Sequence, residues 1–201
     1  MNRPNYMQEM KDRIEAAKVG SVFVASDFAD ITETKRISEY FARLSANGSL
    51  KPVMRGVYYK PEYSKLLGEY IAPAPDTVAH AVARNFGWTI VPCGDTALNL
   101  LGLSTQVPVV WSYVSDGPYK EYSYDNTTIK YKRTTNKEIS KLSSKTSLVI
   151  QALKTLGKDD IKPETIERIK SETTAHERKT MLTEARYATA WIYEVIKTIC
   201  R

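Results

Sequence analysis

Residues 34–60 read TKRISEYFARLSANGSLKPVMRGVYYK, and this stretch decides the fold of the N-terminal region. Apolar residues at helical spacing predict a helix over 34–46, and Asn47-Gly48 is a strong C-terminal stop signal. Two short extended runs, SLKPV and GVYYK, follow with a turn at 54–56, which is typical of a β-hairpin. The predicted buried face of the helix consists of Ile37, Tyr40, Phe41 and Leu44.

The segments before this stretch complete the order of a winged helix-turn-helix. Residues 7–17 predict a first helix, SVFVA predicts a short extended segment, and residues 26–29 predict a short second helix. We therefore expect an α+β protein that begins with a winged helix-turn-helix domain over 1–62. A linker over 63–76 follows, because Pro73 and Pro75 oppose helix formation. A mixed α/β domain over 77–201, ending in a helical segment, completes the prediction.

The outward face of the predicted 34–46 helix suits a DNA groove, because it is polar and has small residues at Ala42 and Ala46. Glu39 lies at the centre of this face. Its carboxylate could accept a hydrogen bond from a cytosine amine, or its negative charge could repel DNA. The alternative for the whole stretch is an amphipathic helix with a solvated face and an unrelated hairpin. The candidate DNA-binding residues are Thr34, Lys35, Arg36, Ser38, Glu39, Arg43, Lys51 and Arg55.

The rest of the chain alternates between strand and helix patterns. We expect a helix over 77–84, a strand at WTIVP, a helix over 94–101, a strand over 107–115 and a hairpin that turns at Asp125-Asn126. Helical patterns begin at Lys145 and near Pro163, and one last helix is expected from Ala175 to the end. The polar segment 104–118 is expected to be a structural or partner-binding surface.

A second group of cations follows the predicted hairpin. This possible second basic surface could extend DNA contact, bind RNA or an acidic partner, or be a solvated strand edge protected by lysines. Its members are Lys130, Lys132, Arg133, Lys137 and Lys141.

Two segments resemble a known family: GSVFVASDFADI with RISEYFARLSANGSLKPVMRGVYYKP, and AVARNFGWTIVPCGDTALNLLGLSTQVPVVWSYVSDGP over 81–118. The chain resembles the AbiEi-type antitoxins of type IV toxin–antitoxin systems, in the branch described as a domain of unknown function. The Arg55-Gly56-Val57-Tyr58 signature carries much of this likeness. The resemblance implies a bacterial, winged-helix repressor of its own promoter. Because duplicated half-sites suit a small basic winged helix, we expect a monomer in solution that binds as two copies to an inverted repeat. It also implies a role in phage defence as the antitoxin to a nucleotidyltransferase-like toxin, with or without direct contact between the two proteins.

Composition and scattered reactive residues favour a binding protein over an enzyme. The net charge of +6 permits a polyanionic partner. The sequence contains no run of 18 apolar residues, so we expect no membrane span. His80 and His176 lack ligand-like neighbours, so we expect no metal, cofactor or catalytic site. Cys93, at a strand-to-helix turn, fits either an activated thiol or a small residue in a tight turn. We expect a cytoplasmic protein; a ligand-sensing regulator without a toxin partner and a nuclease are the alternatives.

Overall fold

A computed structural model describes residues 5–134, 139 and 141–201, and these residues form an α+β protein that ends in helices. The chain divides into two compact units, Met1–Gly87 and Trp88–Arg201, here called the N-terminal and C-terminal units. We expected the first domain to end at residue 62. The boundary lies at Gly87 instead, because the helix expected to open the second domain packs on the first.

Among its described residues, the N-terminal unit contains three helices, five short strands and a 3-10 turn. In chain order they are α1 Tyr6–Ala16, β1 Val22–Phe23, the 3-10 turn Ala25–Phe28, α2 Thr34–Ala46, β2 Lys51–Met54, β3 Val57–Tyr59, β4 Glu62–Ser64, β5 Glu69–Ile71 and α3 Pro75–Phe86. The bounds of α2 confirm the helix predicted from the sequence, because Asn47 closes it and Gly48 follows in a left-handed conformation.

One apolar core joins α1, α2 and the 3-10 turn. Met10 and Ile14 of α1 meet the buried face of α2, which consists of Ile37, Phe41 and Leu44. Phe28 from the 3-10 turn lies between the helices, with its ring 5.5 Å from that of Phe41 in an edge-to-face arrangement. These contacts fix which face of α2 is left toward solvent.

The sheet of this unit has the order β1-β3-β2, and both pairings are antiparallel. Tyr58 contacts Phe41 and so faces α2, with their ring centroids 4.9 Å apart. Strand alternation turns Tyr59 and its cross-strand partner Lys51 to the opposite face. Helix α3 packs on β1 and β3 and on the 3-10 turn, so it completes the fold of the unit.

The segment expected to be a linker, 63–76, is largely structured. Strands β4 and β5 pair as an antiparallel hairpin, and α3 begins at Pro75, where proline is tolerated in the first turn of a helix. Only residues 72–74 lie between the end of β5 and the start of α3. A proline-rich composition therefore marked a helix start here and not a boundary between domains.

The C-terminal unit combines a four-stranded sheet with five helices among its described residues. The elements are β6 Ile90–Pro92, α4 Asp95–Leu100, β7 Val110–Ser115, β8 Lys120–Tyr124, β9 Thr127–Arg133, α5 Ser144–Leu156, a 3-10 turn Lys158–Asp160, α6 Pro163–Ser171, α7 Ala175–Glu184, a 3-10 turn Ala185–Tyr187 and α8 Ala190–Ile199. The sheet order is β6-β7-β9-β8, in which β7 and β9 are parallel and the other pairs are antiparallel.

The single helix expected from residue 175 to the end is interrupted. Helix α7 ends at Glu184, Ala188 is extended, and α8 starts at Ala190. A continuous helix would carry a very wide apolar face, whereas the break leaves Tyr187 almost fully exposed. The break separates α7 from α8, whose Ile192, Ile196 and Ile199 are buried in the helical core.

Candidate nucleic-acid interface

The outward face of α2 carries the predicted DNA-binding residues of the helix. Thr34, Lys35, Arg36, Ser38, Glu39 and Arg43 are all exposed, as are the small residues Ala42 and Ala46. The burial of the opposite face determines this orientation, since the two faces of one helix cannot both be buried in the same core. The structure therefore brings six of the eight predicted residues together on one surface.

The charged side chains of α2 have different partners. Arg36 Nε donates to Glu33 Oε1 at 2.9 Å, and the guanidinium of Arg43 lies 5.8 Å from the centre of the Tyr40 ring. A shallow depression on this surface is lined by both basic and acidic groups: Glu33, Lys35, Arg36, Glu39, Tyr40 and Arg43. Within the described part of the chain, Glu39 forms no ion pair.

Two hydroxyl-bearing residues, Thr34 and Ser38, are exposed near the start of α2. Ser38 Oγ donates to the carbonyl oxygen of Thr34 at 3.0 Å, one turn back along the helix. Such a bond satisfies the hydroxyl locally and leaves its lone pairs toward solvent. Both residues are therefore available at the surface and are not part of the core.

The β2–β3 hairpin presents Arg55 at its tip. Strand pairing joins Met54 to Val57, so Arg55 and Gly56 form the turn. Gly56 has φ of 79°, a left-handed conformation that glycine adopts without steric cost. Arg55 is exposed at the tip of this hairpin.

Lys51 is the predicted residue whose placement differs most from expectation. It lies on the sheet face opposite Tyr58, and its Nζ sits 3.8 Å from the centre of the Tyr70 ring. This cation–π contact could not be predicted, since Tyr70 belongs to the segment that we expected to be a linker. Lys51 is therefore anchored to β5 and turned away from the face of the sheet that α2 covers.

Two unexpected ion pairs tie the segment that precedes α2 to α1 and to α3. The guanidinium of Arg13 on α1 donates two hydrogen bonds to the Asp30 carboxylate, at 2.7 and 2.8 Å, and one to the carbonyl oxygen of Asp27 at 2.7 Å. The hydrogen bond from Arg13 lowers the pKa of Asp30. Arg84 of α3 donates to Asp27 Oδ1 and Oδ2 at 2.5 and 3.0 Å, respectively. These residues are far apart in sequence, so no local pattern links them.

The second basic surface is only partly described. Lys137 lies outside the described residues, and Lys132, Arg133 and Lys141 are exposed. Lys130 is bound to Glu121 with its Nζ 3.0 Å from Oε2, and this hydrogen bond raises the pKa of Lys130. Strand β9 lies between β7 and β8, so the idea of a lysine-protected sheet edge is wrong for the lysines on this strand.

The residues considered for catalysis do not form a reactive cluster. Burial raises the pKa of the Cys93 thiol, which is the opposite of the change that an activated nucleophile requires. His80 Nε2 lies 3.8 Å from Asp76 Oδ1, one turn away on α3. Among the described residues, no three histidine, cysteine, aspartate or glutamate side chains are grouped so that they could hold a metal ion.

Comparison with known proteins gives a family. A model described as a family of unknown function, DUF6088, matches residues 9–181, which include most of both units. The chain belongs to the DUF6088 family. The DUF6088 description names neither a ligand nor a reaction, and no curated protein matches the chain in sequence. No helix in the described ranges is long and apolar enough to cross a membrane.

Proposed function

We propose that the N-terminal unit is a winged helix-turn-helix that binds double-stranded DNA. Helix α2 would enter the major groove, and the β2–β3 hairpin would be the wing. One observation carries this proposal: α2 exposes a row of basic and small residues along the face opposite its buried one. Arg43 and Lys35 lie on that face with Ala42, where a small side chain lets the helix backbone approach the base edges.

Glu39 would contribute sequence discrimination in this arrangement. By helical spacing it has Lys35, Arg36 and Arg43 within one turn, yet Arg36 is paired with Glu33, and the guanidinium of Arg43 is near the Tyr40 ring. A carboxylate without an ion-pair partner can accept a hydrogen bond from the N4 amine of cytosine in the major groove. The surrounding cations would offset its repulsion of the phosphates.

Selection from a pool of random duplexes tests the role of Glu39, and it does not require the operator sequence to be known. We expect the wild-type protein to enrich a motif with a required C·G pair, and Glu39→Ala to lose that preference at one position alone. Ser45→Ala, a change in a half-buried residue of the same helix, is the control and should leave the motif unchanged. Motifs from Glu39→Ala that match the wild type at every position would remove Glu39 from the proposed interface.

We further propose that the protein represses its own promoter and acts as an antitoxin. The resemblance of residues 20–61 and 81–118 to AbiEi-type antitoxins supports this part of the proposal. The partner would be a nucleotidyltransferase-like toxin encoded next to it. Co-expression of the neighbouring gene tests this: growth should be restored by this protein, and continued growth arrest would refute the antitoxin role.

DNA binding is best tested by fluorescence anisotropy on the duplex upstream of the coding sequence. A scrambled duplex of equal composition is the control, and both are titrated at two salt concentrations, because phosphate contacts make affinity fall with salt. We expect tighter binding to the upstream duplex. Equal, weak and salt-sensitive binding to both duplexes would refute sequence-specific autorepression and reduce the contribution of the basic face to generic attraction.

A further inference from the structure

Tyr40 lies at the boundary between the core of the N-terminal unit and the outward face of α2. Its ring is half-buried and packs against the core cluster that includes Ile37 and Phe41. Arg43 follows three residues later, about one turn along the helix, and its guanidinium carbon lies 5.8 Å from the centre of the Tyr40 ring. The core therefore holds the ring, and the ring supports an exposed guanidinium.

The two arginines of α2 differ in what their guanidinium groups contact. Arg36 Nε donates to Glu33 Oε1 at 2.9 Å, so a carboxylate already occupies part of its donor edge. Arg43 forms no ion pair and donates no side-chain hydrogen bond within the described part of the chain. A cation–π contact leaves the N–H groups at the edge of the guanidinium plane free. The whole donor edge of Arg43 is therefore available to a ligand.

A free guanidinium with a supported orientation matches guanine better than the other three bases. Guanine presents two acceptors, N7 and O6, side by side in the major groove, and one arginine can donate to both at once. The contact with the Tyr40 ring restricts the rotation of the Arg43 side chain before any ligand binds. Such a restriction lowers the entropy cost of binding, so it favours a contact of defined geometry. Arg43 therefore has the chemistry and the support that recognition of a base requires.

We propose that Arg43 recognises a guanine in the major groove and that Tyr40 is the positioning residue that holds its guanidinium for this contact. The inference rests on the DNA-binding role proposed above and names the base that the second half of α2 recognises. Arg43 lies four residues beyond Glu39, about 6 Å along the helix axis, whereas successive base pairs are about 3.4 Å apart. In a helix that lies along the groove, Glu39 and Arg43 therefore reach different base pairs.

Selection from a pool of random duplexes, with sequencing of the bound fraction, tests the guanine contact in the full-length protein. We expect the wild type to select one guanine that Glu39→Ala leaves unchanged. In Arg43→Gln the preference for that guanine should fall about 5-fold or more, because a bidentate contact discriminates between bases by that factor. Arg36→Gln is the matched control, since it removes an equal charge from the same face of α2. It should weaken binding to all duplexes alike and retain the guanine.

Two substitutions at Tyr40 separate positioning of Arg43 from packing of the core. Tyr40→Phe keeps the ring and should select the same guanine as the wild type. Tyr40→Leu keeps an apolar side chain against the core but removes the ring, so the preference for that guanine should fall about 2- to 5-fold. The other positions of the motif should stay unchanged. Partial unfolding would instead weaken binding without altering one position alone.

The outcomes distinguish failure of this inference from failure of the DNA-binding role. A wild type that enriches no motif would refute sequence-specific DNA binding, and the guanine contact with it. A wild-type motif whose guanines all persist in Arg43→Gln would overturn the guanine contact alone. Loss of the same guanine in Arg36→Gln would also overturn it, because the preference would then depend on charge and not on Arg43. An undiminished guanine preference in Tyr40→Leu would overturn the positioning role of Tyr40.

Discussion

Asp27→Ala is expected to destabilise the N-terminal unit by about 2–2.5 kcal/mol, because Asp27 accepts hydrogen bonds both from Arg84 of α3 and from the backbone of Val24. Its carboxylate accepts two of the three hydrogen bonds that Arg84 on α3 donates, and it accepts another from the backbone amide of Val24 at 3.0 Å. The side chain of Asp27 is 18% exposed, so water replaces little of what is lost. The substitution therefore removes the ion pair and leaves one backbone donor without its acceptor.

The contribution of the ion pair itself follows from its exposure. Hydrogen bonds to charged groups contribute about 1.5–3 kcal/mol when well shielded, and exposed pairs contribute about 0.2–1 kcal/mol. The Arg84 side chain is 48% exposed, so an intermediate value of about 1–1.5 kcal/mol is appropriate. Arg84→Ala should cost about that amount. The Asp27→Ala variant should exceed it by about 1 kcal/mol, the usual value of a side-chain cap.

Urea unfolding of the two single variants and the double variant measures this coupling. All three tryptophans, Trp88, Trp111 and Trp191, belong to the C-terminal unit, so their fluorescence reports that unit alone. Far-ultraviolet circular dichroism reports the helices of both units. The part of the dichroism transition that has no counterpart in fluorescence reports the N-terminal unit. We expect the substitutions to move this part to lower urea concentration. The fluorescence transition is the internal control and should keep its midpoint.

Two outcomes would refute this reasoning. A double-mutant cycle with a coupling near zero would mean that Asp27 and Arg84 do not stabilise each other. A tryptophan transition that moves with the substitutions would mean that α3 stabilises residues 88–201, in contradiction to the division at Gly87. The second result would also contradict the placement of α3 with the predicted DNA-binding unit.

Three further predictions concern single residues. Arg43→Ala should weaken DNA binding in the anisotropy assay by about 1–3 kcal/mol and relax specificity at one base pair; wild-type affinity would place the DNA surface elsewhere. Gly117→Ala would bring a Cβ within 2.5 Å of the Trp88 ring, so we expect the free energy of unfolding in urea to fall by about 1–3 kcal/mol and the tryptophan emission to change. An unfolding midpoint equal to that of the wild type would contradict this packing. Burial raises the pKa of Tyr124 to about 12, above its usual value of 10.0. Folding therefore favours the protonated phenol, so its contribution to the free energy of unfolding is full below pH 10 and is lost as pH rises toward 12. In Tyr124→Phe the free energy of unfolding should fall less steeply over this pH range. Equal pH slopes for Tyr124→Phe and the wild type would contradict that assignment.

Local patterns predicted the central part of the N-terminal unit. The helix 34–46, its stop at Asn47-Gly48 and the hairpin that turns at Arg55-Gly56 depend on neighbours a few residues apart. The exposure of the polar face of α2 followed from the same periodicity. These features could be predicted because sequence spacing alone decides them.

Contacts between distant residues could not be predicted in this way. Arg84 and Asp27 are 57 residues apart, and nothing near α3 indicates that it packs on β1 and β3. The same is true of the contact between Lys51 and Tyr70 and of the parallel pairing of β7 with β9. The break before Ala190 escaped prediction because Ala185, Arg186 and Ala188 are good helix formers and no glycine or proline marks the interruption.

The strand order β6-β7-β9-β8 has a consequence for synthesis on the ribosome. Strand β8 leaves the exit tunnel before β9, yet its neighbour in the finished sheet is β9 alone. A nascent chain that stops before residue 127 would therefore hold β8 without a partner and β7 with one bare edge, a combination that invites aggregation. Stop codons that fall between β7 and β9 are therefore expected to yield insoluble fragments, whereas residues 1–87 are expected to fold as a unit during translation, before any of these strands is made.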